Sequence, residues 1–154
     1  RYFTQFVCDE SCGKCPPCRI GSTRMLEVLE RITEGEGKLE DLDEIRRIAK
    51  GMKAGALCAL GQLAPDPVIS TMRHFEDEYR AHIIDKTCPA GKCVDLLTYE
   101  IDPEACTGCG LCARKCPVEA ITGERREPHV IDQDLCIRCG SCYEVCNFDA
   151  VVVK

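Results

Sequence analysis

The sequence predicts an α+β chain in two parts: a small helical bundle, then a duplicated α+β unit of short strands and cysteine-rich loops. Three observations predict this. Apolar residues recur every three or four positions from about Gly21 to Ile83. After Asp85 that periodicity stops, and Gly, Pro and Cys become frequent. Finally, a stretch beginning at Ile101 recurs at an offset of 30 residues, the signature of a repeated structural unit.

In the first part, Met25, Val28, Leu29 and Ile32 mark one helix, ended by Gly35 and Gly37. Leu39, Leu42, Ile45, Ile48 and Met52 mark a second, closed near Gly55. A third opens at Asp66-Pro67, a cap residue followed by proline in the first turn. Its buried stripe is Val68, Met72, Phe75, Tyr79 and Ile83. A short piece at 56–60 completes the bundle. In the second part Ile101-Asp102 recurs as Ile131-Asp132, and Ala120-Ile121 as Ala150-Val151. Strands are expected at 97–101 and 150–153, where β-branched residues gather. The boundaries are a helical domain at 1–84, a linker or hinge at 85–98 and the duplicated domain at 99–154.

Fifteen cysteines in 154 residues belong either to a disulfide scaffold or to a metal protein. The odd count and the runs at three-residue steps favour metal, because cysteines so spaced are poor disulfide partners but good ligands for one centre. Thiolate sites persist in reducing compartments, which points to the cytoplasm. The net charge of -6 and the lack of a basic, aromatic-interleaved stripe exclude a nucleic-acid partner. Arg46-Arg47 and Arg125-Arg126 read as solvated faces. No apolar run approaches the roughly 18 residues of a membrane span. The chain begins at Arg1 and reads as part of a longer polypeptide.

The duplicated part carries "CTGCGLCARKCP" (Cys106–Pro117) and "CIRCGSCYEVCN" (Cys136–Asn147). Both follow the run Cys-x2-Cys-x2-Cys-x3-Cys; the first adds its proline, which Asn147 replaces in the second. Three thiolates at three-residue steps wrap three corners of a cubane, with Gly108, Gly110 and Gly140 letting the loop approach. The fourth cysteine of each run reaches the other cluster. This assigns Cys106, Cys109, Cys112 and Cys146 to one [4Fe–4S] cluster, and Cys116, Cys136, Cys139 and Cys142 to another. Zinc fits the spacing poorly, since zinc sites pair two knuckles across a longer spacer. Residues 99–154 resemble the two-cluster bacterial ferredoxin domain.

A third triplet, Cys12, Cys15 and Cys18 in "SCGKCPPCR", has no fourth cysteine after it. The next in the chain is Cys58, which two intervening helices could return to the triplet. Otherwise Cys58 is a small buried hydrophobe. "ESCGKCPPCRIGSTRMLEVLERI" and "LCALGQLAPDPVISTMRHFEDEY" resemble the C-terminal helical domain of the NADH-binding flavoprotein subunit of respiratory complex I and its relatives among NAD-linked hydrogenases and formate dehydrogenases. The resemblance covers about residues 3–83. It implies that Cys12, Cys15, Cys18 and Cys58 hold one [4Fe–4S] cluster. The fused two-cluster tail resembles the corresponding subunit of soluble, multisubunit [FeFe]-hydrogenases, including electron-bifurcating and NADP-reducing ones.

Three cysteines remain: Cys8, Cys88 and Cys93. In "HIIDKTCPAGKC", His82, Cys88 and Cys93 are zinc-type ligands around a Pro-Ala-Gly turn, with His129 or Cys8 as a fourth. The alternative is a turn with buried thiols, and His82 capping a helix C-terminus. His74 reads as an exposed helix residue and Cys8 as sitting near a helix end.

No nucleophile–base pair is visible, so the recognisable chemistry is electron transfer. The expected function is a three-cluster relay within an NAD(P)H-dependent oxidoreductase, carrying single electrons between a flavin and partner redox centres. By resemblance, FMN and the NAD(P)H site lie in an upstream domain. The implied partners are a thioredoxin-like [2Fe–2S] subunit, a hydrogenase or formate dehydrogenase catalytic subunit, and ferredoxin. The alternatives are the equivalent subunit of an NAD-linked formate dehydrogenase complex and a stand-alone ferredoxin-type electron-transfer module.

Overall fold

A computed structural model describes residues 1–153, which form two compact units, 1–89 and one that begins at Ala90. The first unit is helical: α1 (Tyr2–Glu10), α2 (Pro16–Thr33), α3 (Leu39–Gly55), α4 (Ala59–Leu63), α5 (Asp66–His74) and α6 (Glu76–Arg80). The second is a mixture of short helices and strands: β1 (Tyr99–Ile101), α7 (Leu111–Lys115), β2 (Ile121–Thr122), β3 (Val130–Ile131), α8 (Ser141–Glu144) and β4 (Val151–Val153).

The apolar stripes of α2 and α3 meet, because residues three and four apart share one helix face. Val28 and Ile45 are fully buried at 0% exposure, and Met25, Ile32, Leu42, Met52, Val68 and Met72 surround them. Gly21 allows the close approach: a Cβ there would lie 2.5 Å from Met52 Cγ. Pro16 and Pro17 occupy the first turn of α2, where a missing N–H costs nothing.

The third predicted helix is broken. Phe75 (φ −134°, ψ 39°) closes α5, its N–H donating to the Thr71 carbonyl at 2.8 Å. Rather than joining the buried stripe, Phe75 is 53% exposed. Glu76, Asp77 and Glu78 then fill the first turn of α6, where the positive end of a helix favours acids. A single π-type turn at Ala81–Asp85 follows, ended by Lys86 in a left-handed conformation. The helix α1 lies where only a helix end near Cys8 was anticipated. The short piece lies at Ala59–Leu63, three residues beyond its predicted start.

In the second unit β1 pairs antiparallel with β4, Glu100 opposite Val152, and β2 with β3, Ile121 opposite Ile131. The sequence repeat is repeated in the hydrogen bonds. Asp102 N–H donates to the Ala150 carbonyl and Asp132 N–H to that of Ala120, both at 2.7 Å. Each aspartate also caps the turn after it, Oδ1 accepting from Glu104 N–H or Asp134 N–H at 2.9 Å. Each copy therefore anchors the other.

Asp41 fastens the start of α3. Its Oδ2 accepts the Lys38 N–H at 2.8 Å, and its Oδ1 accepts from Arg31 at 2.5 Å. Burial would raise this carboxyl, but the Arg31 hydrogen bond, then that of the Lys38 amide, holds it below the ordinary value. A lowered carboxylate stabilises the fold above its unfolded pKa, and that contribution disappears as pH falls through its folded pKa. Asp41→Asn is therefore expected to reduce stability near neutral pH. In urea titrations across a pH series, the gap to the unsubstituted chain should close toward acid.

Candidate functional site

The N-terminus of α2 carries the first thiols. Gly13, at φ 69°, turns the loop, and Arg19 Nη1 donates to the Gly13 carbonyl at 2.7 Å. Ser11 Oγ accepts the Gly13 N–H and lies 3.4 Å from Cys18 Sγ. Cys15 is the N-cap of α2. Cys15 and Cys18 are buried, while Cys12 and Cys58 are exposed.

The 56–61 segment comes back to this loop. Ala56 packs with Cys15 and Cys18, and a Cβ on Gly61 would stand 3.0 Å from Cys18 Cβ. Cys58 lies between them as the N-cap of α4. The Leu57 amide, followed by that of Cys18, lowers the Cys15 thiol pKa, favouring the thiolate that binds metal.

The second unit holds two matched cavities. Cys106, Cys109, Cys112 and Cys146 line one; Cys136, Cys139, Cys142 and Cys116 line the other. Each cavity thus draws three thiols from one copy and the fourth from its partner copy. Every other lining residue of the first cavity also has its counterpart 30 positions away in the second. Phe148 answers to Val118, for example, and Thr107 to Ile137.

The local backbone explains the loops. Gly110 and Gly140, both left-handed, start α7 and α8, which turn Cys112 and Cys142 inward. Burial pushes the thiols of Cys112 and Cys142 up, an opposition to charge that a bound cation offsets. Cys139 is held down, first by its hydrogen bond with Ser141 and then by the Ser141 amide. Backbone donors reach sulfur directly: Ala120 N–H lies 3.3 Å from Cys116 Sγ and Arg138 N–H 3.4 Å from Cys136 Sγ. Four thiols and backbone amides converging on one small cavity suit an iron–sulfur cluster.

Elsewhere, His82 and Cys88 lie in the last residues of the first unit and Cys93 in the first residues of the second. His129 lines the first cavity of the second unit, and Cys8 lies near the end of α1. His82 Nδ1 lies 2.7 Å from the Glu78 carbonyl oxygen, so the ring does contact the end of α6. His74, the last residue of α5, is exposed.

Residues 1–82 match the NADH-ubiquinone oxidoreductase-F iron-sulfur binding region. The chain belongs to this family. Residues 98–147 match a 4Fe-4S dicluster domain. The NADP-reducing hydrogenase subunit HndC of Solidesulfovibrio fructosivorans is 57% identical over 99% of the chain, which spans 31% of that subunit. The beta subunit of the NADP(+)-dependent formate dehydrogenase of Moorella thermoacetica is 39% identical over 58% of the chain and 13% of its own length. Among solved structures, an NAD+-reducing [NiFe]-hydrogenase in the H2-reduced state matches with a TM-score of 0.52 at 30% identity. That match covers 53% of this chain and 14% of the hydrogenase chain. The chain is thus an iron–sulfur region similar to parts of hydrogenase and oxidoreductase subunits about three or more times its length.

Two features escaped the sequence. Tyr99 and His129 occupy equivalent positions, one in each cavity; the 30-residue offset that aligns the cysteines aligns them too. The second feature is a strap. The segment between β2 and β3 crosses the first cysteine loop, Arg126 N–H donating to the Gly108 carbonyl at 3.0 Å. A Cβ on Gly108, at φ 67°, would lie 2.4 Å from Glu127 N. The equivalent Arg138, at φ 56°, instead extends to the Asp95 carbonyl at 2.8 Å. Gly108→Ala is expected to destabilise the chain by more than about 1 kcal/mol, because it adds a backbone clash to an unfavourable φ. Arg138→Ala keeps the conformation its residue already tolerates and should cost less. Paired denaturation curves test the order.

Proposed function

We propose that the chain is the iron–sulfur electron-relay region of an NAD(P)H-linked oxidoreductase subunit of the hydrogenase type. The carrying observation is the pair of cavities, each lined by four cysteines drawn from both copies of the repeat. A bound [4Fe–4S] cluster takes up and releases one electron at a time, which lets two-electron nucleotide chemistry at a flavin be divided into single steps.

On this reading Cys106, Cys109, Cys112 and Cys146 hold one cluster of the ferredoxin-like unit, and Cys116, Cys136, Cys139 and Cys142 hold the other. Cys12, Cys15, Cys18 and Cys58 hold a third in the helical bundle. The chain's part is to supply deprotonated thiols, to aim amides at sulfur and to exclude water from the inner ligands. FMN and the nucleotide site belong to a longer polypeptide, as the larger relatives suggest. Partner subunits and ferredoxin would exchange electrons with the chain in a reducing compartment. Among the described residues no helix is long and apolar enough to cross a membrane. The formate dehydrogenase relative supports a second reading, in which the same region serves a formate-oxidising complex.

We also propose that His82, Cys88 and Cys93 bind a zinc ion, supported by their ligand types and their spacing around a Pro-Ala-Gly turn. Metal analysis of purified chain should find about one zinc besides iron, and Cys88→Ser should remove the zinc while leaving the iron. Iron with no zinc would reject the site.

Cys58→Ala tests the relay. It should remove about a third of the iron and one of three reduced-cluster EPR signals, leaving the other two. Survival of all three signals would show that the triplet takes its fourth ligand elsewhere.

A further inference from the structure

In the helical unit the cysteine loop is pinned at Gly13 through both of its backbone polar groups. The Gly13 carbonyl accepts from Arg19 Nη1 at 2.7 Å, and the Gly13 N–H donates to Ser11 Oγ at 3.3 Å. Ser11 is the first residue beyond α1, with extended backbone (φ −67°, ψ 126°). Its hydroxyl bridges the two ends of the loop: it takes the Gly13 N–H and lies 3.4 Å from Cys18 Sγ, seven residues on.

Cys18 has little freedom to leave this contact. The hydroxyl of Ser22, a fully buried residue, donates to the Cys18 carbonyl at 2.8 Å. Cys18 itself is 5% exposed. A Cβ on Gly61 would lie 3.2 Å from its sulfur, so α4 also closes on the thiol. A sulfur enclosed in this way meets little water, and a hydrogen bond counts for more where water does not compete.

Once the site is filled, the hydrogen in this contact has one source. A cysteine that binds iron has given up its own hydrogen and only accepts. The Ser11 hydroxyl takes the Gly13 N–H on a lone pair and still carries one hydrogen to donate. In the second unit the sulfurs of Cys116 and Cys136 receive backbone N–H groups at 3.3 and 3.4 Å, contacts that do not depend on a side chain. The contact of Cys139 with Ser141, also 3.4 Å, is exposed to water. Ser11 instead brings a side-chain donor to a buried ligand sulfur.

We infer that Ser11 is a positioning residue of the cluster in the helical bundle: its hydroxyl hydrogen-bonds the sulfur of Cys18 and makes that cluster easier to reduce. Reduction adds one electron, drawn from an external donor, and makes or breaks no covalent bond. The added negative charge spreads onto the ligand sulfurs, where a donor already in place stabilises it. Hydrogen bonds to sulfur are among the determinants of cluster potential. Ser11 therefore adjusts the cluster through Cys18 and binds no iron itself.

The inference rests on the proposed ligand set of Cys12, Cys15, Cys18 and Cys58. The experiment is an EPR-monitored redox titration of the cluster-loaded, full-length polypeptide. Ser11→Ala should lower the reduced-to-oxidised ratio of the helical-bundle signal roughly three- to tenfold at fixed potential, tenfold being about 59 mV for one electron. The iron content and the two signals of the ferredoxin-like unit should stay unchanged. Ser11→Thr, which keeps the hydroxyl and suits extended backbone, should restore the ratio. If Ser11→Ala fails to take up iron, Ser11→Gly is read in the same way. An unmoved ratio, an equal shift in every signal, or the same shift in Ser11→Thr overturns the inference. Failure of the ligand set would look different: the unsubstituted chain would lack the helical-bundle signal, or Cys58→Ala would leave all three signals in place.

Discussion

A loop that steps through three cysteines can enclose three corners of a metal cluster and is always one sulfur short. The structure is organised around this shortage. In the second unit each copy of the repeat sends its last cysteine into the cavity of the other. Neither cavity can be completed by one copy alone, and neither copy has enough apolar surface to fold alone. The reciprocal bonds from Asp102 to Ala150 and from Asp132 to Ala120 serve the same need. They close the two copies around one small core in which Ala120 and Ala150 are almost fully buried. Ligand supply and folding are therefore one problem with one solution. In the helical unit α2 and α3 carry the chain away and back, so that the 56–61 segment rests on Cys15 and Cys18.

How much of this was legible depended on whether a signal lay in spacing or in packing. Cysteine spacing is covalent arithmetic, and it groups the same thiols that line each cavity. Long amphipathic stripes are nearly as plain, and α2 and α3 lie where Met25–Ile32 and Leu39–Met52 placed them. Phe75 shows the limit. Its spacing continues the stripe, yet three acids directly after it favour a fresh helix N-terminus, and the backbone breaks there. The strands β2 and β3, two residues each, are too short for alternation to register. They were nonetheless readable by transfer, because β1 lies 30 residues before β3 and its neighbour, and β4 lies 30 after β2. The offset pairs Ile101-Asp102 with Ile131-Asp132 by likeness, but Tyr99 and His129 share no likeness that would mark them as counterparts.

Duplication gives two equal sites only at the start; the differences that follow show what each copy was free to change. Gly108 cannot carry a side chain, because the strap between β2 and β3 lies against it. At the matching position in the second loop an arginine replaces the glycine and reaches back to the 94–96 turn. Thr107 has likewise become Ile137, 55% exposed beside the second cysteine loop. The cysteines themselves have not diverged: all eight recur at the 30-residue offset. Each run shares its cysteines between both cavities, whereas a residue that only lines one cavity can change without altering that grouping, and the exchange of Tyr99 for His129 is such a change.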